Sequence, residues 1–152
     1  METLTKMQKI EMGTKEIAIK IRMQLKQEFP ACVFSVVMKS FSGGSEINVS
    51  LMSAPFEVFD KSKPFDMNGN QINWNHAQLN EYSFSSLHNF TSEKGYSNGH
   101  YLTEQTWRIM QRICKIVNQF NYDESDIQTD YFNVNFYFHL GIGKWDKPFK
   151  TI

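Results

Sequence analysis

Apolar residues recur along this chain with two different periods. Ile17, Ile21 and Leu25 fall every four residues, flanked by Ala18, while Lys20, Gln24, Gln27 and Glu28 take the other positions. That spacing predicts an amphipathic helix over residues 14–29. Thr14 stands as its N-cap with Glu16 in the first turn, and Pro30 stops it by pushing the preceding residue out of helical geometry. Residues 1–12 read as a frayed or weakly helical lead-in. From Cys32 the period becomes two. Phe34, Val36 and Met38 share one face of a strand over 32–39, and Ile47, Val49 and Leu51 one face of a second over 46–52. Gly43-Gly44 lies between them, so the pair reads as a β-hairpin whose connector, Ser40 to Ser45, is longer than a tight turn.

Helical spacing returns over 103–120, where Thr103 caps and Trp107, Met110, Ile113, Cys114, Val117 and Phe120 line one face. The strongest strand pattern follows an acidic turn. Over 131–140, Phe132, Val134, Phe136, Phe138 and Leu140 alternate with Tyr131, Asn133, Asn135, Tyr137 and His139, until Gly141 and Gly143 break the run. Residues 53–102 are rich in Asn, Ser and Gly and keep neither period. Their many large side chains, Phe65, Trp74, Leu79, Tyr82, Phe84, Leu87, Phe90 and Tyr96, imply that the segment packs down. A short helix opening at Ala54-Pro55 with Phe56 and Phe59, and a strand near 82–86, are expected within it. The predicted whole is one α+β domain over 1–152. An antiparallel sheet packs on two main helices, and a long, partly structured insertion (53–102) partly covers the sheet's other face.

Composition narrows the functional classes. A chain of 152 residues supports one core, and 41% apolar with 21% charged residues excludes a disordered chain. Lys+Arg and Asp+Glu both number 16, and this balance argues against a dedicated nucleic-acid coat. Cys32 and Cys114 sit in apolar patterns and read as buried thiols. The sequons Asn48-Val-Ser50 and Asn89-Phe-Thr91 matter only in a secreted protein, and Met1 to Gln27 is too interleaved with lysine and arginine to act as a secretion signal. No run approaches the ~18 apolar residues of a membrane span. The expectation is a soluble protein of a reducing cytoplasm with no membrane partner.

Candidate chemistry changes this picture little. Asp123, Glu124, Asp126 and Asp130 miss the calcium-loop spacing, since Ser125 and Gln128 fall where an oxygen ligand and the glycine belong. His76, His88 and His100 read as polar loop residues, with no zinc-type spacing. No G-x-S-x-G elbow occurs, and Gly141-Ile-Gly143-Lys144 lacks the phosphate-loop frame. Neither metal nor cofactor is expected, and no residue is assigned a catalytic role. The candidate binding face is the polar side of the last strand, Tyr131, Asn133, Asn135, Tyr137 and His139, with Asp123 and Asp126 adding charge. Three functions compete for it. The first is a non-enzymatic interaction module. The second is a nucleic-acid accessory that stacks bases on the tyrosines and uses Arg108, Arg112 and Lys115. The third is a ligand-binding or hydrolytic enzyme with a site between the sheet and residues 53–102, which a deep pocket joining His139 to a carboxylate would support and a shallow surface there would exclude.

The wording of both chain ends carries a further signal. Tyr122-Asp-Glu-Ser-Asp-Ile-Gln-Thr-Asp130-Tyr-Phe, then Phe136-Tyr-Phe-His-Leu-Gly-Ile-Gly-Lys-Trp-Asp-Lys-Pro-Phe149, together with the Ile17-to-Pro30 helix leading into Phe34-Ser-Val36 and Ile47-Asn-Val49, resembles a large polyvalent protein-associated domain, the twenty-ninth of that series. The resemblance spans about two-thirds of the chain and brings no active site with it. It implies a protein of phages or conjugative elements acting in the bacterial cytoplasm. By analogy with small stand-alone proteins of that setting, which often inhibit host defences as anti-CRISPR proteins do, the resemblance implies an inhibitor that binds a host protein or nucleoprotein. The resemblance leaves the identity of that target and the oligomeric state open.

Overall fold

The computed structural model describes residues 3–65, 69–85, 87–90, 101–124, 128 and 134–152. Three helices lie among them. α1 (Lys6–Met12) opens on a capping box in which the Thr5 hydroxyl accepts from the Gln8 amide and the Gln8 side chain accepts from the Thr5 amide. α2 (Thr14–Glu28) follows after Gly13. Thr14 is therefore the first helical residue and not the cap, and its hydroxyl pairs instead with that of Ser45 at 2.8 Å. Phe29 closes α2 immediately before Pro30, as the proline requires. α3 (Glu104–Asn118) starts from the Thr103 cap, whose hydroxyl accepts from the Thr106 amide.

The α+β class holds, and the sheet is mixed where an antiparallel one was expected. β1 (Val33–Phe41) and β2 (Gly44–Ala54) form the predicted hairpin. Its loop is only Ser42-Gly43, because both strands run further than their alternation shows. β4 (Tyr137–Ile142) lies parallel to β2, β3 (Ala77–Leu79) pairs antiparallel with β4, and β5 (Lys150–Thr151) adds parallel to the end of β2. The order is β1-β2-β4-β3. The long excursion between β2 and β4 carries α3, and such a crossover returns the chain in the same direction. Gly141 stays inside β4, and the strand ends before Gly143. The candidate residues Tyr131 and Asn133, in the first part of the expected 131–140 strand, lie outside the described residues; Val134 makes a single bridge to Asp123.

One core joins the inward sheet positions to both long helices: Val36, Ile47, Val49, Leu51, Phe138 and Leu140 from the strands, Ile17, Ile21 and Leu25 from α2, and Trp107, Met110, Ile113 and Val117 from α3. Cys114 is buried here and its thiol is pushed up to about 12, chiefly by burial, with the Glu81 carboxylate adding to it. Half-buried Cys32 is also raised by burial.

The described parts of the 53–102 segment cover the sheet's edge and α3 more than its open face. Val58, Phe59, Ile72, Leu79 and Phe84 enter the core, whereas Phe65, Tyr82 and Leu87 are exposed. Residues 54–56 extend β2 and bend without forming the expected helix. The expected strand at 82–86 is replaced by β3 at 77–79 and a 3-10 turn at Glu81–Phe84. The Asn80 side chain accepts from the Tyr82 amide and so caps that turn. Gln111 of α3 then donates to the carbonyls of Ser85 and His88, fastening the segment to the helix.

Candidate binding groove on the sheet

Because α2 and α3 pack on the Val36, Val49 and Leu140 side, the alternate positions of three strands point away from the helices. The pairings set them in rows. Lys39 lies beside Glu46 and Glu46 beside Tyr137; Val37 lies beside Asn48 and Asn48 beside His139; Ser35, Ser50, Gly141 and Gln78 complete a third row. His76, Ala77 and Gln78 form one wall, and the turn at 144–147, closed by reciprocal backbone bonds between Lys144 and Lys147, forms another. The result is an open groove of about 720 Å³. Trp145 stands at its rim, 82% exposed.

The floor is polar. His139 Nε2 lies 3.1 Å from Glu46 Oε2, an ion pair whenever the imidazole carries its proton. Asn48 Nδ2 reaches the other Glu46 oxygen at 3.5 Å, and its Oδ1 is shielded from solvent without a hydrogen-bond partner. Gly141 keeps the floor low, since a Cβ there would lie 3.1 Å from the Ala77 carbonyl oxygen and 3.4 Å from Ser50 Oγ. Such a surface offers donors, acceptors and one broad indole to a partner.

Of the residues the sequence nominated, the fold brings Tyr137 and His139 to this face. The Tyr137 ring packs 6.0 Å from that of Phe41, and His139 lies within the groove. Asn135 points elsewhere: its Nδ2 donates to the carbonyls of Phe120 and Lys9 and anchors the entry to β4. Asp123 is exposed near α1, where Glu124 pairs with Lys6 at 2.6 Å. Asp126, like Tyr131 and Asn133, lies outside the described residues. Among the described residues no group of acidic, histidine or cysteine side chains is arranged to hold a metal ion.

The residues named for nucleic acid lie apart, on α3. Arg108 pairs with Glu104 at 3.0 Å, and Arg112 meets both oxygens of Glu28 at 2.7 and 3.1 Å; Lys115 is exposed. The Arg112 hydrogen bond holds the Glu28 carboxyl below its ordinary range and raises the guanidinium in turn. Both arginines are thus charge-compensated within the molecule.

Sequence reasoning missed Glu46, Asn48, Gln78 and Trp145. The period-two pattern of the hairpin does place Glu46, Asn48 and Ser50 opposite Ile47, Val49 and Leu51, but only the β2–β4 pairing shows that they share a face with His139.

A family model, the large polyvalent protein associated domain 29, matches residues 12–131. The chain belongs to this family. Large polyvalent protein associated domains are associated with phages and mobile elements. The match runs from the end of α1 through α3 and so includes the hairpin half of the groove, while β4 and the Trp145 turn follow it. No curated protein and no solved structure matches the chain. Among the described residues no helix is long and apolar enough to cross a membrane.

Proposed function

We propose that this chain is a non-enzymatic interaction module of a mobile element, an inhibitor that binds a protein of the host's defence through the open face of its sheet. The observation that carries this reading is the groove itself, a polar floor spanning β1, β2 and β4 with an exposed Trp145 at its rim. The family supplies the setting in which such an inhibitor acts. The paired Arg108 and Arg112 weigh against a nucleic-acid site on α3, because both of these arginines already have a counter-ion. Affinity capture from bacterial lysate with the wild-type chain should retain a partner that the Tyr137→Ala/Trp145→Ala variant retains at least tenfold less, since aromatic hot spots are typically worth 2 kcal/mol or more. Equal capture by both chains would remove the reading.

A second reading draws on a separate observation. The groove lies between the sheet and residues 76–78 and joins His139 to the Glu46 carboxylate at 3.1 Å, a pairing that orients an imidazole for proton transfer in a hydrolytic site. Hydrolysis of an activated aryl ester that His139→Ala abolishes would support it. Identical background rates in the wild type and His139→Ala would exclude it.

A further inference from the structure

β1 is the terminal strand of the sheet, and among the described residues its outer edge pairs with no other strand. One side chain shows which backbone groups face outward: Arg22 donates to the Val36 carbonyl at 2.7 Å. In an antiparallel pair the backbone groups of successive residues point alternately to the partner and away from it, so Phe34, Met38 and Ser40 turn theirs outward with Val36. No other backbone hydrogen bond reaches this edge among the described residues. A nine-residue strand with an open edge is a template for another strand.

The flanking charge selects what can pair there. α2 presents three sides. Ile17, Ile21 and Leu25 face the core, and Gln24 and Glu28 bond to Gln119 and Arg112 on the α3 side. The remaining flank, on the Arg22 side, carries Lys15, Ile19, Arg22 and Lys26 at spacings of four, three and four, which aligns them on one stripe. Lys15, Arg22 and Lys26 are exposed and form no ion pair among the described residues; Lys39 on β1 likewise has none. An open strand edge therefore runs beside an uncompensated cationic stripe.

We infer that the β1 edge binds an extended acidic peptide segment of a partner protein by strand addition, with the basic flank of α2 pairing its carboxylates. The incoming backbone replaces Arg22 at the Val36 carbonyl and frees the guanidinium for a carboxylate, exchanging a neutral acceptor for an anionic one that can pair with it in a bidentate way. A second copy of this chain is the wrong occupant. Pairing two β1 edges about a two-fold axis brings the two Lys15, Arg22 and Lys26 stripes together, and like charges oppose that contact. The edge is distinct from the groove, and this inference goes beyond the groove reading.

The test uses a fluorescein-labelled nine-residue peptide of alternating glutamate and threonine, titrated with the full chain at low ionic strength. Binding is expected, together with roughly tenfold weakening in the Lys15→Gln/Arg22→Gln/Lys26→Gln variant, consistent with the loss of several exposed ion pairs. Glutamine is a good helix former, so α2 should keep its circular dichroism. The same peptide N-methylated at alternate amides keeps its charge and loses its strand hydrogen bonds; it should not bind. No binding of the unmodified peptide, or equal binding of the N-methylated one, would overturn the proposal, the latter by reducing the site to charge alone. A dimer by sedimentation that Ser40→Pro dissolves would overturn it too, in favour of a second copy. Because the assay uses a defined peptide, its failure leaves the lysate capture at the groove untouched, and the reverse also holds.

Discussion

Trp107→Ala is expected to remove about 3–5 kcal/mol of folding stability, the usual cost of deleting a buried large aromatic side chain. Trp107 is 2% exposed and packs against Phe84 at 5.6 Å and Phe90 at 6.0 Å between ring centroids. Those two rings belong to the segment that Gln111 also ties to α3, so the cavity opens where the irregular middle of the chain meets its best-formed helix. Against a total of roughly 5–15 kcal/mol for a typical domain, this loss should shift the urea midpoint far downward. Trp107→Phe separates two effects. The indole Nε1 is buried without a hydrogen-bond partner, so phenylalanine gives up some apolar contact but removes an unsatisfied donor that itself costs about 1–3 kcal/mol. Its stability should lie within about 1.5 kcal/mol of the wild type. A phenylalanine variant as unstable as the alanine one would show that the indole nitrogen is satisfied in solution.

Gly143→Ala should be the second most damaging of these changes, at roughly 2–5 kcal/mol, from about 1–2 for the left-handed backbone and 1–3 for displaced neighbours. Gly143 has φ +61°, and a Cβ placed on it would lie 2.5 Å from the Asn75 carbonyl oxygen and 2.7 Å from the Phe149 nitrogen. Both atoms are backbone, and they bond to each other at 2.8 Å, so neither yields without opening that bond. The same residue donates to the Leu51 carbonyl and directs the chain from β4 into the turn that carries Trp145. Thermal unfolding should therefore fall by several degrees, and the groove should lose its aromatic rim. Gly69→Ala is the control. Its φ is also positive at +80°, but nothing lies within 4 Å of the added Cβ, so only the conformational cost of about 1–2 kcal/mol remains. Equal effects at the two positions would mean that the Asn75–Phe149 crossing is loose.

The two predictions probe parts of the chain that were unequally legible. α2, α3 and the hairpin followed from spacing, because an amphipathic element writes its burial directly into its period. Phe136, Phe138 and Leu140 follow the same kind of alternation, and they are buried. The segment from 53 to 102 resisted, since Phe59, Ile72, Leu79 and Phe84 are held by tertiary contacts and fall at no common interval. Its short β3 is fixed by β4 rather than by its own three residues. At the candidate site the sequence reached Tyr137 and His139 but also nominated Asn135, whose amide serves the backbone of Phe120 and Lys9. An asparagine on a polar stripe looks the same in sequence whether it meets a partner or its own chain.

By itself the sequence determined the α+β class, the two long helices, the inward face of each main strand and the family resemblance, all of which rest on local order along the chain. Only the tertiary structure decided the direction of β4, and with it the candidate groove. Alternation tells which side of a strand is buried and is blind to which way the neighbouring strand runs. The crossover through α3 set β4 parallel to β2, and that register placed His139 against Glu46 and Asn48, residues some ninety positions earlier in the chain. The same arrangement left β1 at the sheet's margin beside the basic flank of α2, where among the described residues its outer edge pairs with no strand and Arg22 holds the Val36 carbonyl.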